Sequence, residues 1–189
     1  MNDSQKTDAG GIYVISGPSG SGKTSIVERL KNLEGVFYSI SVTSRGPRAG
    51  EVDGRDYHFV SRDEFGRLVD ERRLAEWAEV AGNLYGTPAE ALASALHEGK
   101  KALVDIDVQG AMRIKEAFPA ARLIFIEPPD MNELEHRLRA RATDSDESIE
   151  KRLELARREM EYLPKYDVAV VNDDLDAAVE EVKRIIEGS

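Results

Sequence analysis

The chain has 189 residues, 41% of them hydrophobic and 33% charged, enough for one globular domain with a core of its own. It carries a net charge of -10, which argues against a nucleic-acid polymer as partner. It contains no cysteine, so disulfides and thiolate metal sites are excluded.

Residues 1–10 are polar and lack the apolar stretch of a signal peptide, so a short disordered tail is expected there. No apolar run approaches a membrane span, and with the absence of cysteine this predicts a cytoplasmic protein that engages no membrane. The first element is Ile12-Tyr13-Val14-Ile15, apolar and rich in β-branched residues, as a buried strand should be. Gly17-Pro18-Ser19-Gly20-Ser21-Gly22-Lys23-Thr24 follows, the pattern G-x-x-x-x-G-K-[ST]. Behind it Ile26, Val27 and Leu30 share one helical face. Strand, glycine loop and helix are the context in which this pattern cradles phosphates. Backbone N–H groups curl around the anion, and the helix adds its positive end. Lys23 reaches the outer phosphates and the Thr24 hydroxyl ligates Mg²⁺, so a nucleoside triphosphate is the expected ligand.

Val36 to Val42 alternates enough to be a strand and runs into a polar segment, 43–56, too charged to be buried. Tyr57–Val60 predicts a short strand, and Ser61-Arg62-Asp63-Glu64 a capping box opening a helix. Leu74–Val80 reads as a strand, Asn83–Gly86 as a turn, and Thr87-Pro88 as the start of a helix ending near Gly99. A buried strand, Ala102–Ile106, leads into a helix from about Gln109, then the strand Leu123–Ile126. Helices are expected over about Asn132–Arg141 and Glu147–Tyr162, with Thr143–Glu147 as a polar break that can cap the second. The strand Val168–Val171 and a helix over Leu175–Ile186 close the chain. Apolar strands alternating with helices predict an α/β fold: a parallel sheet with helices on both faces. Short strands over about 39–88 break the alternation and predict a small inserted lobe.

Asp105 and Asp107 fall at the carboxyl end of a buried strand, where open α/β sheets bind ligands. Asp105 is the candidate to hold Mg²⁺ opposite Thr24, whereas Asp107 is either a ligand or a helix cap. Asp107-Val108-Gln109-Gly110 also fits the short D-x-x-G pattern of GTPases, but none of the five asparagines is followed by lysine, as their base-recognition motif requires.

The segment Ser41-Val42-Thr43-Ser44-Arg45-Gly46-Pro47-Arg48-Ala49-Gly50-Glu51-Val52-Asp53-Gly54-Arg55-Asp56-Tyr57-His58-Phe59-Val60 resembles the GMP-binding signature of guanylate kinases. The resemblance continues through Glu76–Val80, Gly82–Thr87, Asp105–Gly110, the arginines from Arg137 to Arg152, and Val171–Asp176, covering Gly11 to Ile186. It implies one domain over 11–187, with a core of 11–38, 98–130 and 165–187, a GMP-binding lobe over 39–88 and a helical lid over about 135–160. It implies that Arg45, Arg48, Tyr57 and Tyr85 hold the GMP phosphate and that Ser41 and Thr87 touch the base, with Asp107 also on the GMP side. Guanine presents two adjacent N–H donors, which one carboxylate accepts together. By itself Glu76 reads as an exposed strand residue; the resemblance makes it the guanine reader.

By the same resemblance ATP lies against residues 17–24, Arg137 and Asn172, the last bordering adenine. Lys23, Arg48, Arg141 and Arg152 carry the chemistry, with Mg²⁺ on Thr24 and Asp105. Arg137 and Arg141 are four apart and share a helix face, and Arg152 lies on the next helix. Two residues depart from the family pattern: Ala142 where glycine is usual after the lid arginine, and Leu84 where an aromatic is frequent. The implied reaction is Mg-dependent phosphoryl transfer from ATP to GMP or dGMP, with ATP and GMP as partners. The rival is a non-catalytic interaction module of the same fold, and a homo-oligomer is left open.

Overall fold

The computed structural model describes residues 10–140 and 145–188. The expected tail therefore falls, but for Gly10, outside the described residues, as do Arg141 and Ala142.

A five-stranded parallel sheet forms the body, in the order β2 (Val36–Tyr38), β7 (Lys101–Asp105), β1 (Ile12–Ser16), β8 (Arg122–Glu127), β9 (Val168–Val171). Successive side chains of a strand point to opposite faces, and both faces here are covered. Ile15, Leu103 and Ile126 meet α1 (Lys23–Leu30) and α7 (Leu175–Glu187) on one side. Val14, Val104 and Leu123 meet α3 (Ala89–His97) and α4 (Val108–Ala117) on the other. Double burial explains why these strands read as unbroken apolar runs. β1 is central, so the loop behind it opens at the carboxyl edge of the sheet, where ligands bind in such folds.

A second sheet runs β4 (His58–Phe59), β3 (Val42–Thr43), β6 (Asn83–Pro88), β5 (Leu74–Val80). Its core is small: Val42, Phe65 and Leu84, against α2 (Arg62–Asp70). The capping box forms at Ser61, whose Oγ accepts from the Glu64 amide at 3.1 Å. Leu84 is buried in this core, which accounts for an aliphatic residue there.

Two strand expectations need correction. Val36–Val42 is not one strand; it divides into β2 and β3, which belong to different sheets. Asn83–Gly86 is not a turn but the start of β6. The reversal lies one step earlier, at Ala81 and Gly82, both at positive φ (49° and 79°), the backbone a two-residue hairpin loop requires. β6 runs on through Thr87 and Pro88, so α3 begins only at Ala89.

Helices α5 (Met131–Ala140) and α6 (Asp146–Met160) pack on each other through Leu134, Leu138, Ile149 and Leu153. Ser145 caps α6, accepting from the Ser148 amide at 3.3 Å. Among the described residues no helix is long and apolar enough to cross a membrane.

Candidate active site

The loop between β1 and α1 is built around contacts that forbid side chains. A Cβ on Gly17 would stand 2.1 Å from the Ile126 carbonyl oxygen, and one on Gly22 would stand 2.1 Å from Asn172 Nδ2. Gly22 is the N-cap of α1 in the left-handed region, so the cap position supplies no side chain to the first amides, and the first turn holds no acid. Those amides are left for an anion. Lys23 bends back to donate to the Gly17 carbonyl at 2.9 Å, keeping its ammonium within the loop. Asn172 is buried and donates through Nδ2 to the Ser21 carbonyl at 2.7 Å. Its amide therefore braces the loop from β9.

From this loop a cleft of about 390 Å³ runs to the second sheet. Gly17, Ser19, Lys23 and Thr24 line one end; Ser41, Arg48, Tyr57, Glu76 and Tyr85 line the other, with Asp105 and Asp107 between them. Most of the predicted residues thus share one cavity. Arg45 and Thr87 stand behind its wall, each committed to a neighbour.

Arg45 is clamped by Glu51, with its two terminal nitrogens 2.9 and 2.8 Å from the carboxylate oxygens, and its Nε donates to the Tyr85 hydroxyl at 3.2 Å. The guanidinium also lies over the Tyr57 ring, 5.4 Å from its centroid. Glu51 accepts from the Arg48 amide at 2.7 Å as well, and the Arg45 guanidinium holds its carboxyl below the usual carboxylate range. Glu51 thus folds the 45–51 loop onto itself. The sequence reading assigned it no role, although an acid three positions after Arg48 and six after Arg45, within a basic loop, was the available signal. Burial pushes the Tyr57 phenol up, so it stays a neutral donor.

On β5 the alternation is inverted. Glu76 and Ala78 point inward and Trp77 outward: Glu76 is 6% exposed and Trp77 40%. A buried carboxylate opposite an exposed indole is the arrangement that burial alone disfavours. Thr87, directly across the ladder, donates to Glu76 Oε1 at 2.7 Å. The other oxygen, Oε2, would be only 2.9 Å from a Cβ on Gly110, so the glycine leaves room for the carboxylate against α4. Burial raises the Glu76 carboxyl to about 7, the Thr87 hydrogen bond works against this, and Asp107 adds to it. Thr87 is accordingly spent on orienting Glu76. Trp77 is covered by Arg113, 5.8 Å from the ring centroid.

Asp107 settles as a cap: its Oδ1 accepts from the Gly110 amide at 2.7 Å while the residue also borders the cleft. Burial pushes the Asp105 carboxyl up and the Lys23 ammonium opposes this. No cluster of three or more metal-ligating side chains exists among the described residues. One hydroxyl and one carboxylate on the same cleft, Thr24 and Asp105, instead fit Mg²⁺ that takes its other ligands from water and phosphate.

Arg137 is held by Glu133 at 2.8 Å on its own helix. Arg139 joins α5 to α6 through Asp146 at 2.7 Å. Arg152 already reaches the phosphate loop, donating to Ser19 Oγ at 2.7 Å. Leu155 and Glu159 of α6 also face the cleft, and the sequence reading passed over both. The recurrence of 152, 155 and 159 on one helix face was the signal for them.

A family model described as guanylate kinase matches residues 10–189. Among similar proteins, the guanylate kinase of Desulfitobacterium hafniense is 46% identical over 176 residues, spanning 93% of this chain and 88% of its own length. That of Synechocystis is 46% identical over 187 residues and 98% of both chains. The crystal structure of guanylate kinase from Anaplasma phagocytophilum superposes with a TM-score of 0.80 at 36% identity, covering 96% of this chain and 86% of that one.

Proposed function

The chain belongs to the guanylate kinase family, and from that premise we propose that its cleft transfers the γ-phosphoryl group of ATP to GMP. The observation that carries this reading is one cavity with a glycine loop and Lys23 at one end and the buried, raised carboxyl of Glu76 at the other. The rival of a non-catalytic module is not favoured, since Lys23, Thr24 and Arg152 are all in place.

In this reading the ATP phosphates lie on the amides of residues 17–24, with Lys23 turned from the Gly17 carbonyl toward the β- and γ-oxygens. Asn172 serves the ATP side by fixing the loop, and Arg137 borders it. Glu76, aimed by Thr87, accepts the paired N–H donors of guanine, with Ser41 beside it and Asp107 on the same side. Arg48, Tyr57 and Tyr85 receive the GMP phosphate, and Arg45 joins them while Glu51 holds its orientation. A GMP phosphate oxygen attacks in line. That group is largely dianionic near neutral pH, so no general base is needed. Thr24 and Asp105 would hold Mg²⁺, which when bound offsets charge on the transferring group. Arg152, and Arg141 beyond the described residues, supply the remaining positive charge as α5 and α6 close and water is excluded. The small sheet is then the GMP-binding lobe, 135–160 the lid, and the cytoplasm the compartment.

The test is ADP release in a coupled assay with ATP and each of GMP, dGMP, AMP and UMP. GMP should be the best acceptor. No turnover with GMP, alongside intact nucleotide binding, would return the chain to the interaction-module reading.

A further inference from the structure

Helix α6 meets the phosphate loop at Ser19, and Glu159 of that helix lines the same cleft as Ser19 and Lys23. Arg152 donates to the Ser19 hydroxyl at 2.7 Å. Two turns further along the helix, the Glu159 carboxylate faces the Ser19 backbone amide, which favours its charged form. Leu155 lies between them, and Leu155 and Glu159 both wall the cleft that holds Lys23. Glu159 is an anomalous residue for this place. Its Oε2 is shut away from solvent and has no hydrogen-bond partner among the described residues. Burial raises its carboxyl, and the nearby Lys23 ammonium opposes that rise.

A backbone amide of a glycine loop and a lysine ammonium are the donors that a phosphate chain takes up. Here a carboxylate borders both. The same amide cannot serve a carboxylate and a phosphate together, and like charges a few ångström apart in a partly desolvated cleft repel strongly.

We propose that Glu159 is an anionic placeholder on the phosphate loop, holding α6 through Ser19 and giving way when the ATP phosphates claim that amide. Its release frees α6 to carry Arg152 from the Ser19 hydroxyl onto the phosphates. Glu159 is thus a positioning residue that links occupancy of the ATP site to the placement of a cation on α6. This rests on the loop being the ATP site.

Calorimetric titration of the whole chain and of Glu159→Gln with ADP, with and without Mg²⁺, and with GMP tests it. Glutamine keeps the size and an acceptor for the Ser19 amide while removing the charge. Mg-free ADP should bind about tenfold tighter to the variant, the order expected from removing one like charge nearby. GMP affinity and melting temperature should not change. Glu159→Asp, which withdraws the charge by one methylene, should shift ADP affinity the same way by less, and it serves if the glutamine variant does not fold. Unchanged Mg-free ADP affinity overturns the proposal. So does weaker binding confined to Mg-ADP, which would make Glu159 a partner of the metal's water. So does a general loss of melting temperature and of all ligands, which would make it a packing residue. Failure of the unsubstituted chain to bind ADP would instead remove the ATP-site reading itself.

Discussion

The two ends of the cleft present different parts of the chain. At the loop behind β1 it offers backbone amides, with Lys23 as the loop's own cation, fixed by a five-stranded sheet buried on both faces. At the second sheet it offers side chains: Glu76 and Tyr85 on β5 and β6, and Arg48 and Tyr57 on the segment between β3 and β4, over a core of Val42, Phe65 and Leu84. A backbone site of this kind admits no Cβ at Gly17 or Gly22 and offers amides that suit a phosphate of any nucleotide. A side-chain site on a small sheet is tuned through partners such as Thr87 and Glu51, which in the proposed reading fits it to one base. The first should govern turnover and the second should govern which acceptor is used.

The largest effect that would break this division is at Lys23. Lys23→Ala should leave the melting temperature near normal, because the lysine's one described hydrogen bond is to a carbonyl of its own loop, yet reduce kcat below detection. Near-normal kcat would show that the loop end does not carry the chemistry. Next is Arg152→Met, which keeps bulk and helix propensity on α6. We expect kcat to fall by about 10²–10⁴, toward the range of arginine fingers, while GMP affinity changes less than about tenfold. A loss mainly in GMP affinity would assign Arg152 to the wrong end.

Glu76→Gln sharpens the contrast from the other side. The amide accepts one guanine proton and opposes the second, at a cost of about 1–3 kcal/mol in kcat/KM for GMP, with ATP affinity nearly unmoved. The same residue sets a pH dependence. Its carboxyl in the free site sits at about 7, and guanine requires the ionised form, so a proton must leave on binding below that pH. GMP affinity should be highest above pH 7 and fall by up to about tenfold per unit below it. The GMP phosphate also titrates, near pH 6, so its share is read from Glu76→Gln, which should retain only that shallower dependence. Equal pH profiles for the two proteins would overturn the assignment of Glu76. The smallest effect belongs to Arg139→Met. Its pairs with Glu135 and Asp146 involve a side chain 43% exposed, and exposed pairs contribute little because solvent screens them. Turnover should stay within a few-fold of the unsubstituted chain, and a collapse of kcat would mean that α5 presents a different face to the cleft.

What the sequence determined by itself is what neighbouring residues decide among themselves. The core strands are continuous apolar runs, the glycine loop is eight consecutive residues, and the caps at Ser61 and Ser145 bond amides three positions away. What only the tertiary structure decided depends on residues far apart in the chain. Nothing inside Leu74–Val80 says which of its two faces is buried, since a shift of one residue exchanges them. The facing strand and Gly110 of α4 turn Glu76 inward and leave Trp77 to Arg113. Val36–Val42 keeps its alternation across a break because each half pairs with a different sheet. Asn172 reads as a turn or base-edge residue until Ser21, 151 positions earlier, takes its amide. Glu159 is one acid among many on α6 until the packing of that helix sets it against Ser19 and Lys23. Period and propensity are local, whereas burial of a charge is decided by whichever distant segment closes over it.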